Sequence, residues 1–373
     1  MPPGHFIGIM SGTSLDGIDA VLAAIDAQGL TIQATHSSAF DPALRKRLYA
    51  LARGTDDSIH SLGQLDRALG FAFAGAALAL LDKAGYPAAQ VAAIGCHGQT
   101  IRHFPGELAE TRYTLQIGDP STIAELTGIT TIADFRRRDI AAGGEGAPLV
   151  PLYHAEAFGS ESEDRAVVNI GGIANATLLH GRDVVAGFDC GPGNTLLDAW
   201  VQKHRHEPYD AHGAWAAEHP VNQALLGRLL SDPFFQRLGP RSTGPELFNL
   251  AWLQQHLEES LDPGTVQATL SELSARAIAD SILGGAYGPA ALYVCGGGAR
   301  NTDLLRRLHG LLLGHGVRLG VTDELGVAAE WVEAGAFAWL ASRTLQSLPG
   351  NSPQVTGAKG SRVLGGIYPA GSG

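Results

Sequence analysis

GIMSGTSLDG, residues Gly8 to Gly17, is the stretch on which the reading of this chain turns. It holds Gly8, Gly12 and Gly17, the hydroxyl residues Ser11, Thr13 and Ser14, and Asp16. Apolar residues flank it, Phe6-Ile7 before and Ile18 with Val21-Leu22 after, so the segment reads as two strands joined by a glycine turn. Backbone without side chains lets several amides converge on one anion, and hydroxyls add donors. The design recurs. AVVNIGGIANATLLH, residues 166–180, places Gly171-Gly172 between two apolar runs with Asn169 and Asn175 beside them. VVAGFDCGPGNTLLDAW reads as a strand over Val184 to Phe188, a turn at Gly191-Pro192-Gly193 and a helix from Thr195. ALYVCGGGARNTDLLRRL reads as a strand over Leu292 to Cys295, a turn at Gly296 to Gly298 and a helix from Thr302. A lone glycine turn is ordinary loop chemistry. Four of them, each ending an apolar strand with Asp16, Asn169, Asp189 or Asn301 alongside, point to an anion such as a phosphate. The hairpin near the start returning near the middle indicates an internal duplication of two α/β halves.

Composition sets the limits. A chain of 373 residues is long for one core, and two domains are expected. Hydrophobic residues are 45% and charged residues 17%, the balance of a globular protein. No apolar run reaches the length that a membrane span needs, and MPPGHFIGIM lacks the basic-then-apolar pattern of a secretory signal, so a cytoplasmic protein is expected. Cys96, Cys190 and Cys295 are far apart and form no CxxC pair, which suits reduced thiols. A net charge of −11 argues against nucleic acid as the main partner but leaves room for a phosphate held by amides and a metal ion.

Helical periodicity covers Ile59 to Ala84, with Asp56, Asp57 or Ser58 as caps and Gly85 as a stop, and recurs over Val266 to Leu283 and Ala328 to Leu345. DFRRRDIAAGGEGAPLVP, residues 134–151, reads as a crossover between the halves; DPFFQRLGPRSTGPE, residues 232–246, reads as a surface or cleft loop. Familiar nucleotide and nucleophile signatures are missing: no GxxxxGK[ST], no HRD, no intact dinucleotide fingerprint after Gly191, no GxSxG.

The motifs MSGTSLDGID, CHGQT, NIGGIAN, FDCGPGN, STGPELFN, CGGGARN, EAGAFAWLA and VTGAKGSRVLGGIYP run in order from residue 9 to 369. Together they resemble the anhydro-N-acetylmuramic acid kinase family, within the sugar kinase, heat-shock 70 and actin superfamily. The resemblance implies an α/β fold of two duplicated ribonuclease H-like (actin/hexokinase-type) domains around a nucleotide cleft. It implies a first half over 1–145, on which about 326–373 packs back, and a second half over 146–325. It also implies a reaction: ATP-dependent opening of 1,6-anhydro-N-acetylmuramic acid by water, with phosphorylation of the freed 6-oxygen, as part of peptidoglycan recycling. ATP and Mg²⁺ would be the cofactors, and a homodimer is compatible with it. Two rivals stay open: another superfamily sugar kinase or polyphosphate hydrolase, and an ATP-gated binding protein.

Carried over residue by residue, the resemblance makes Asp189 the base that takes the proton of the attacking water. The ATP and phosphate residues would be Gly12, Thr13, Ser14, Leu15, Asp16 and Gly17 of the first turn, and Asn169, Gly171, Gly172 and Asn175 of the second. Gly191, Gly193 and Asn194 would join them, with Gly296, Gly297 and Gly298 against the adenosine. Asp16 would hold the magnesium. Ser11, His97, Gln99, Asp119, Arg136 and Glu333 would face the sugar, the Arg136 fork suiting a lactyl carboxylate. Plainer readings stand beside these. Asp189 could cap the helix that follows, Asp16 could close its own turn, and Gly296 to Gly298 could be a tight turn only. Glu333 could make a local ion pair on a helix surface, and most of the run Arg136-Arg137-Arg138 could be solvated. His204, His206 and His212 with Asp210 match no common zinc spacing. Two departures from the family pattern are visible: Cys190 stands where threonine usually follows the base, and Arg241 and Pro245 replace an expected lysine and arginine.

Overall fold

The structure is a computed structural model that describes residues 4–371 apart from 14, 107, 238–240, 242, 245, 259–260 and 286. The chain forms two compact units, Met1–Ala157 with Trp331–Gly373, and Phe158–Glu330.

In the first unit β1 (Gly4–Ser11), β2 (Gly17–Asp26) and β3 (Gly29–Ala39) make an antiparallel meander. On the other side of β1 run β4 (Val91–Phe104) and β6 (Thr131–Ala133), both in the parallel sense. β5 (Tyr113–Ile117) folds back on β4, and β12 (Gly366–Tyr368) pairs with β6 at the edge. Alternation along β1 sends Ile7 and Ile9 to one face, where they join Leu65, Leu69 and Phe73 of the helix Ile59–Ala84 in one apolar cluster. Burying each such side chain contributes about 1.5–3 kcal/mol. Gly8 faces the other way, toward the helix Val332–Leu345. A Cβ on Gly8 would lie 1.8 Å from the Ala334 carbonyl oxygen, and one on Gly95 of β4 would lie 2.0 Å from that of Phe337. Glycine in both strands is what lets this helix lie backbone-close on the sheet.

The second unit repeats the plan. β7 (Arg165–Ile170), β8 (Ile173–His180) and β9 (Asp183–Pro192) form the meander, and β10 (Ala291–Cys295) and β11 (Arg318–Val321) continue in parallel on the other side of β7. Ala166, Val168 and Ile170 pack with Ile278 and Ile282 of the helix Pro263–Leu283 and with Leu304, Leu308 and Leu312 of the helix Thr302–Leu313. The orders β3-β2-β1-β4-β6 and β9-β8-β7-β10-β11 are the same, strand for strand and sense for sense. This is the ribonuclease H-like arrangement, present twice, and the duplication expected from the two hairpins is therefore real.

Three expectations change in detail. The helix Ile59–Ala84 keeps its expected bounds, its Ser58 cap and its Gly85 stop at φ 61°. By length and composition, however, it is apolar enough to cross a membrane, contrary to the expectation that no apolar run reaches that length; half of its most apolar window is buried inside the fold. The segment 134–151 is not an open crossover. It contains the short helix Arg137–Ala141, and the Glu145 N–H donates to the Thr356 carbonyl 2.8 Å away, within the first unit. The last long helix starts at Val332, preceded by a separate short turn over Ala329–Trp331.

Candidate functional site

Each unit offers its own set of groups. In the first, the β1–β2 turn is held by side chains. Ser11, 2% exposed, donates its hydroxyl to Gln99 Oε1 at 2.7 Å, with the Gly17 carbonyl 2.9 Å away as the competing acceptor. Gln99, fully buried on β4, donates in turn to the Gly12 carbonyl at 3.1 Å. Leu15 is buried and sits at φ 57°, a left-handed conformation that costs a branched-chain residue about 1 kcal/mol. Asp16 is exposed and paired with Arg45 at 3.0 Å; Arg45 also donates to the Leu15 carbonyl at 2.8 Å. Ser14 lies outside the described residues.

Beside Gln99, His97 is buried and its Nε2 accepts from Arg136 Nε at 3.1 Å and Nη2 at 2.9 Å. Burial, with the Arg136 charge adding to it, holds His97 well below the ordinary histidine range, so the ring is neutral. Its proton therefore sits on Nδ1, which is buried and, among the described residues, meets no partner in hydrogen-bond geometry. Burial also brings Arg136 down to about 10, and Glu333 and Asp139 offset part of that. Phe337 lies against the His97 ring at a centroid distance of 4.7 Å. The structure thus gathers Ser11, Gln99, His97, Arg136 and Glu333. Arg137 and Arg138 are exposed. Asp119 is engaged elsewhere: it caps the helix Pro120–Thr127 through Ser121 N–H at 3.0 Å and takes donors from Thr122 and, at 3.1 Å, Arg67. Burial raises its carboxyl, but these donors outweigh that and hold it below the usual range.

In the second unit the turns are held by backbone. The carbonyls of Gly171 and Gly172 accept from the N–H groups of Asn194 (2.8 Å), Gly193 (2.9 Å) and Thr195 (3.0 Å). A Cβ on Gly193 would lie 2.4 Å from the Gly171 oxygen. Gly296, at φ 78°, comes so close that a Cβ there would lie 2.1 Å from Asn169 Oδ1. Three of the four glycine turns therefore meet at the end of β7. Asn169 Oδ1 is buried there and, among the described residues, has no hydrogen-bond partner. Asn301 caps the helix Thr302–Leu313.

Asp189 stands in the row Asn169–Asn175–Asp189 across β7, β8 and β9. It is half-buried, and its Oδ2 accepts the Thr243 N–H at 2.8 Å. Cys190 next to it points into the apolar core under the sheet, where burial pushes its thiol up to about 12, so it does not share the face of Asp189. Arg241 is spent on structure: its Nε donates to the Asp189 carbonyl at 3.0 Å and its guanidinium covers the Phe234 ring at 4.7 Å. Pro245 lies outside the described residues.

Sequence reasoning passed over several groups. On β4 and β5, His103 Nδ1 shares a hydrogen bond with Thr114 Oγ1 at 3.1 Å, and Gln116 donates to Thr114 Oγ1 at 2.8 Å and Thr100 Oγ1 at 3.1 Å. Burial, then the Arg136 charge, brings His103 down to about 4. The available signal was a strand that continues to carry polar residues past CHGQT. Thr243 beside Asp189, and Asp139 behind Arg136, carried no local signal, and Arg241 stood out only as a departure from the family pattern. Among the described residues no three His, Cys, Asp or Glu side chains cluster as a metal site, and Asp210 is engaged with the N–H groups of Trp215 and Ala216.

A family model described as anhydro-N-acetylmuramic acid kinase matches residues 4–370. Curated proteins of that name are similar over nearly their whole length. The one from Coxiella burnetii (strain Dugway 5J108-111) is 50% identical over 372 residues, 99% of this chain and 98% of its own. The one from Shewanella sp. (strain MR-7) is 51% identical over 374 residues, 99% of this chain and 100% of its own. Solved structures are more distant. The activator of the 2-hydroxyisocaproyl-CoA dehydratase from Clostridium difficile with bound ADPNP is 12% identical at a TM-score of 0.46, covering 93% of this chain and 99% of that one. A ROK family glucokinase from Streptomyces griseus with glucose and AMPPNP is 17% identical at 0.40, covering 91% and 100%. The fold assignment rests on the two sheet orders.

Proposed function

The chain belongs to the anhydro-N-acetylmuramic acid kinase family, and from that premise we propose that it opens 1,6-anhydro-N-acetylmuramic acid with water and phosphorylates the sugar from ATP. Water attacks the anomeric carbon, the bond from that carbon to the 6-oxygen breaks, and its electron pair stays on the 6-oxygen, which takes the γ-phosphoryl group. The products are N-acetylmuramic acid 6-phosphate and ADP, a step of cell-wall recycling carried out in the cytoplasm.

The observation that carries this reading is the placement of Asp189. Its carboxylate closes a row that begins at Asn169, under the convergence of glycine turns, and one oxygen is fixed by a backbone N–H. A fixed carboxylate beside phosphate-sized turns suits a base that must remove a proton from water as the leaving oxygen meets phosphorus. The turns at Gly171, Gly193 and Gly296 to Gly298, with Asn169, Asn175, Gly191 and Asn194, are assigned to ATP. The residues Gly12 to Gly17 are assigned to the phosphates as well. Ser11, His97, Gln99, Arg136 and Glu333 are assigned to the sugar, and Asp119 keeps a share in that role beyond its helix cap.

Magnesium fits a site with a single carboxylate, because the ion keeps waters and leans on substrate phosphates. Asp16 is the residue that would hold it, exchanging its Arg45 partner for the ion, which when bound neutralises charge on the phosphates. Incubation with ATP, magnesium and the anhydro sugar, followed by mass spectrometry, tests the reading. A product heavier by one water and one phosphoryl group is expected. Gain of a phosphoryl group alone would mean a simple sugar kinase, and ATP binding without sugar turnover a binding protein.

A further inference from the structure

The motif VTGAKGSRVLGG begins at Val355, near the end of the chain. The structure brings it to a buried carboxylate. Asp139 is 0% exposed. Its Oδ1 accepts from Asn351 Nδ2 at 2.7 Å and Thr356 Oγ1 at 2.8 Å, and its Oδ2 accepts from the Gly146 N–H at 2.9 Å. Taking a carboxylate out of water is costly unless donors and a nearby cation replace the solvent; here three donors and Arg136 do so.

The Gly146 peptide passes this order on. Its N–H is fixed by Asp139, and its carbonyl accepts from Arg136 Nη1 at 2.8 Å. Arg136 then commits Nε and Nη2 to His97 Nε2, which leaves the ring proton on Nδ1. Among the described residues that Nδ1–H meets no partner in hydrogen-bond geometry, though the Gly98 and Ser11 backbone lies close to the ring, and it is a donor with capacity for an acceptor oxygen. Gly144 has no room for a side chain, since a Cβ there would lie 2.2 Å from Asp139 Oδ2, so this loop is shaped around the carboxylate.

Resting on the function proposed above, we propose that Asp139 is a positioning residue for sugar binding, and that Asn351 and Thr356 set it. They act through the Gly146 peptide and Arg136 to present the His97 Nδ1–H to an uncharged acceptor oxygen of the sugar. The terminal motif thereby reaches the sugar without touching it.

The test compares Thr356→Val, which removes a donor to Asp139, with Thr356→Ser, which keeps it. Losing one hydrogen bond to a buried charge predicts a sugar KM raised about tenfold for Thr356→Val, with kcat and the ATP KM within about twofold. Thr356→Ser should match the native enzyme. In a His97→Ala background Thr356→Val should add nothing, because the path ends at that ring. Nitrogen-15 NMR of the imidazole gives a second readout that needs no turnover. The native ring should be the Nδ1–H tautomer, and Asp139→Asn should shift it toward a mixture. An equal rise in both KM values, a full Thr356→Val effect without His97, or an unchanged tautomer in Asp139→Asn overturns the proposal. A native enzyme that leaves the anhydro sugar untouched overturns the function instead, and the tautomer experiment still decides the positioning.

Discussion

The hairpins β1–β2 and β7–β8 have the same place in the same sheet plan, yet they are stiffened by opposite means. The first turn is tied by side chains, Ser11 and Gln99, with Leu15 forced to φ 57° and Asp16 paired outside. The second is tied by neighbouring turns, backbone to backbone, with glycine wherever another turn must come close. The glycines of the first sheet are used differently: Gly8 and Gly95 lie within strands and admit a helix. A duplicated fold has thus kept its strand order while the ties that fix its turns have changed. Turns made of backbone present N–H groups, which suit phosphate. A turn held by a glutamine and a serine instead carries an exposed carboxylate, Asp16, which suits a magnesium ion on the same phosphates.

The sharpest way to break the comparison is at one row of each sheet close to the turns. Across the first sheet the row is Met10–Asp19–Ser37; across the second it is Asn169–Asn175–Asp189. If only the second row does chemistry, Asp189→Asn should lower kcat by about 10²–10⁴-fold while ATP affinity stays within about threefold. Steady-state kinetics with calorimetric ATP binding checks this. An Asp189→Asn enzyme with a tenth or more of native kcat would reduce the carboxylate to a structural role.

The glycines come next. An alanine at Gly8 would drive a methyl against the backbone of the helix Val332–Leu345, and the helix cannot yield without leaving the sheet. Gly8→Ala should cost more than about 3 kcal/mol, read as a large fall in the denaturation midpoint. Gly296→Ala adds a left-handed φ to a clash with the end of the Asn169 amide, which can shift. It should cost about 1–3 kcal/mol in stability but weaken ATP binding at least tenfold. Equal losses in both variants would mean that the two sets of glycines serve folding alike.

How much of this was legible depends on the range of the interactions. The helix Ile59–Ala84 was read with its limits because Ser58 and Gly85 act within one turn of it. The glycine turns and the repeated hairpin were legible for the same reason. The segment 134–151 was read as a loop because its glycines and arginines give no period; what orders it is Asp139, whose partners Asn351 and Thr356 lie 212 and 217 residues away. No window of sequence contains that contact. The tie of Arg241 to Asp189 was hidden likewise, since two of its acceptors are the carbonyls of Asp189 and Cys190 on β9, 52 and 51 residues away. The His97 tautomer follows only from knowing which nitrogen meets Arg136.

Acid distinguishes the units more gently. His97, His103 and His154 all lie in the first unit, and burial lowers each, His103 to about 4 and His154 to about 3. A histidine lowered by folding stays neutral where the unfolded chain would take a proton, so stability is complete above about pH 6.5 and declines as pH falls toward the folded value. The second unit's buried carboxylate, Asp303, is also lowered, but from a more acidic starting point: burial raises it, and Arg307, Arg306 and Ser271 outweigh that and hold it below 3.8 overall. Its contribution is lost only below that value. Between pH 6.5 and 4 amide exchange should therefore quicken in the first unit well before the second. Uniform quickening would show that these histidines do not govern the difference.

Asp16 offers the smallest effect on stability and the finest test of what the first turn is for. Its partner Arg45 is 49% exposed and its own side chain 72% exposed, so the ion pair contributes between 0 and about 1 kcal/mol. No carboxylate sits on the matching Gly171-Gly172 turn. If Asp16 only closes its turn, Asp16→Asn should leave kinetics near native, because asparagine closes such turns as well. If it holds magnesium, the same change should leave the melting temperature within about two degrees. The magnesium concentration for half-maximal rate should then rise at least tenfold, since an amide brings no charge to the ion. The substitution is nearly silent for the fold, so a shift in magnesium dependence would separate the first hairpin, built to place a charge, from the second, built to place amides.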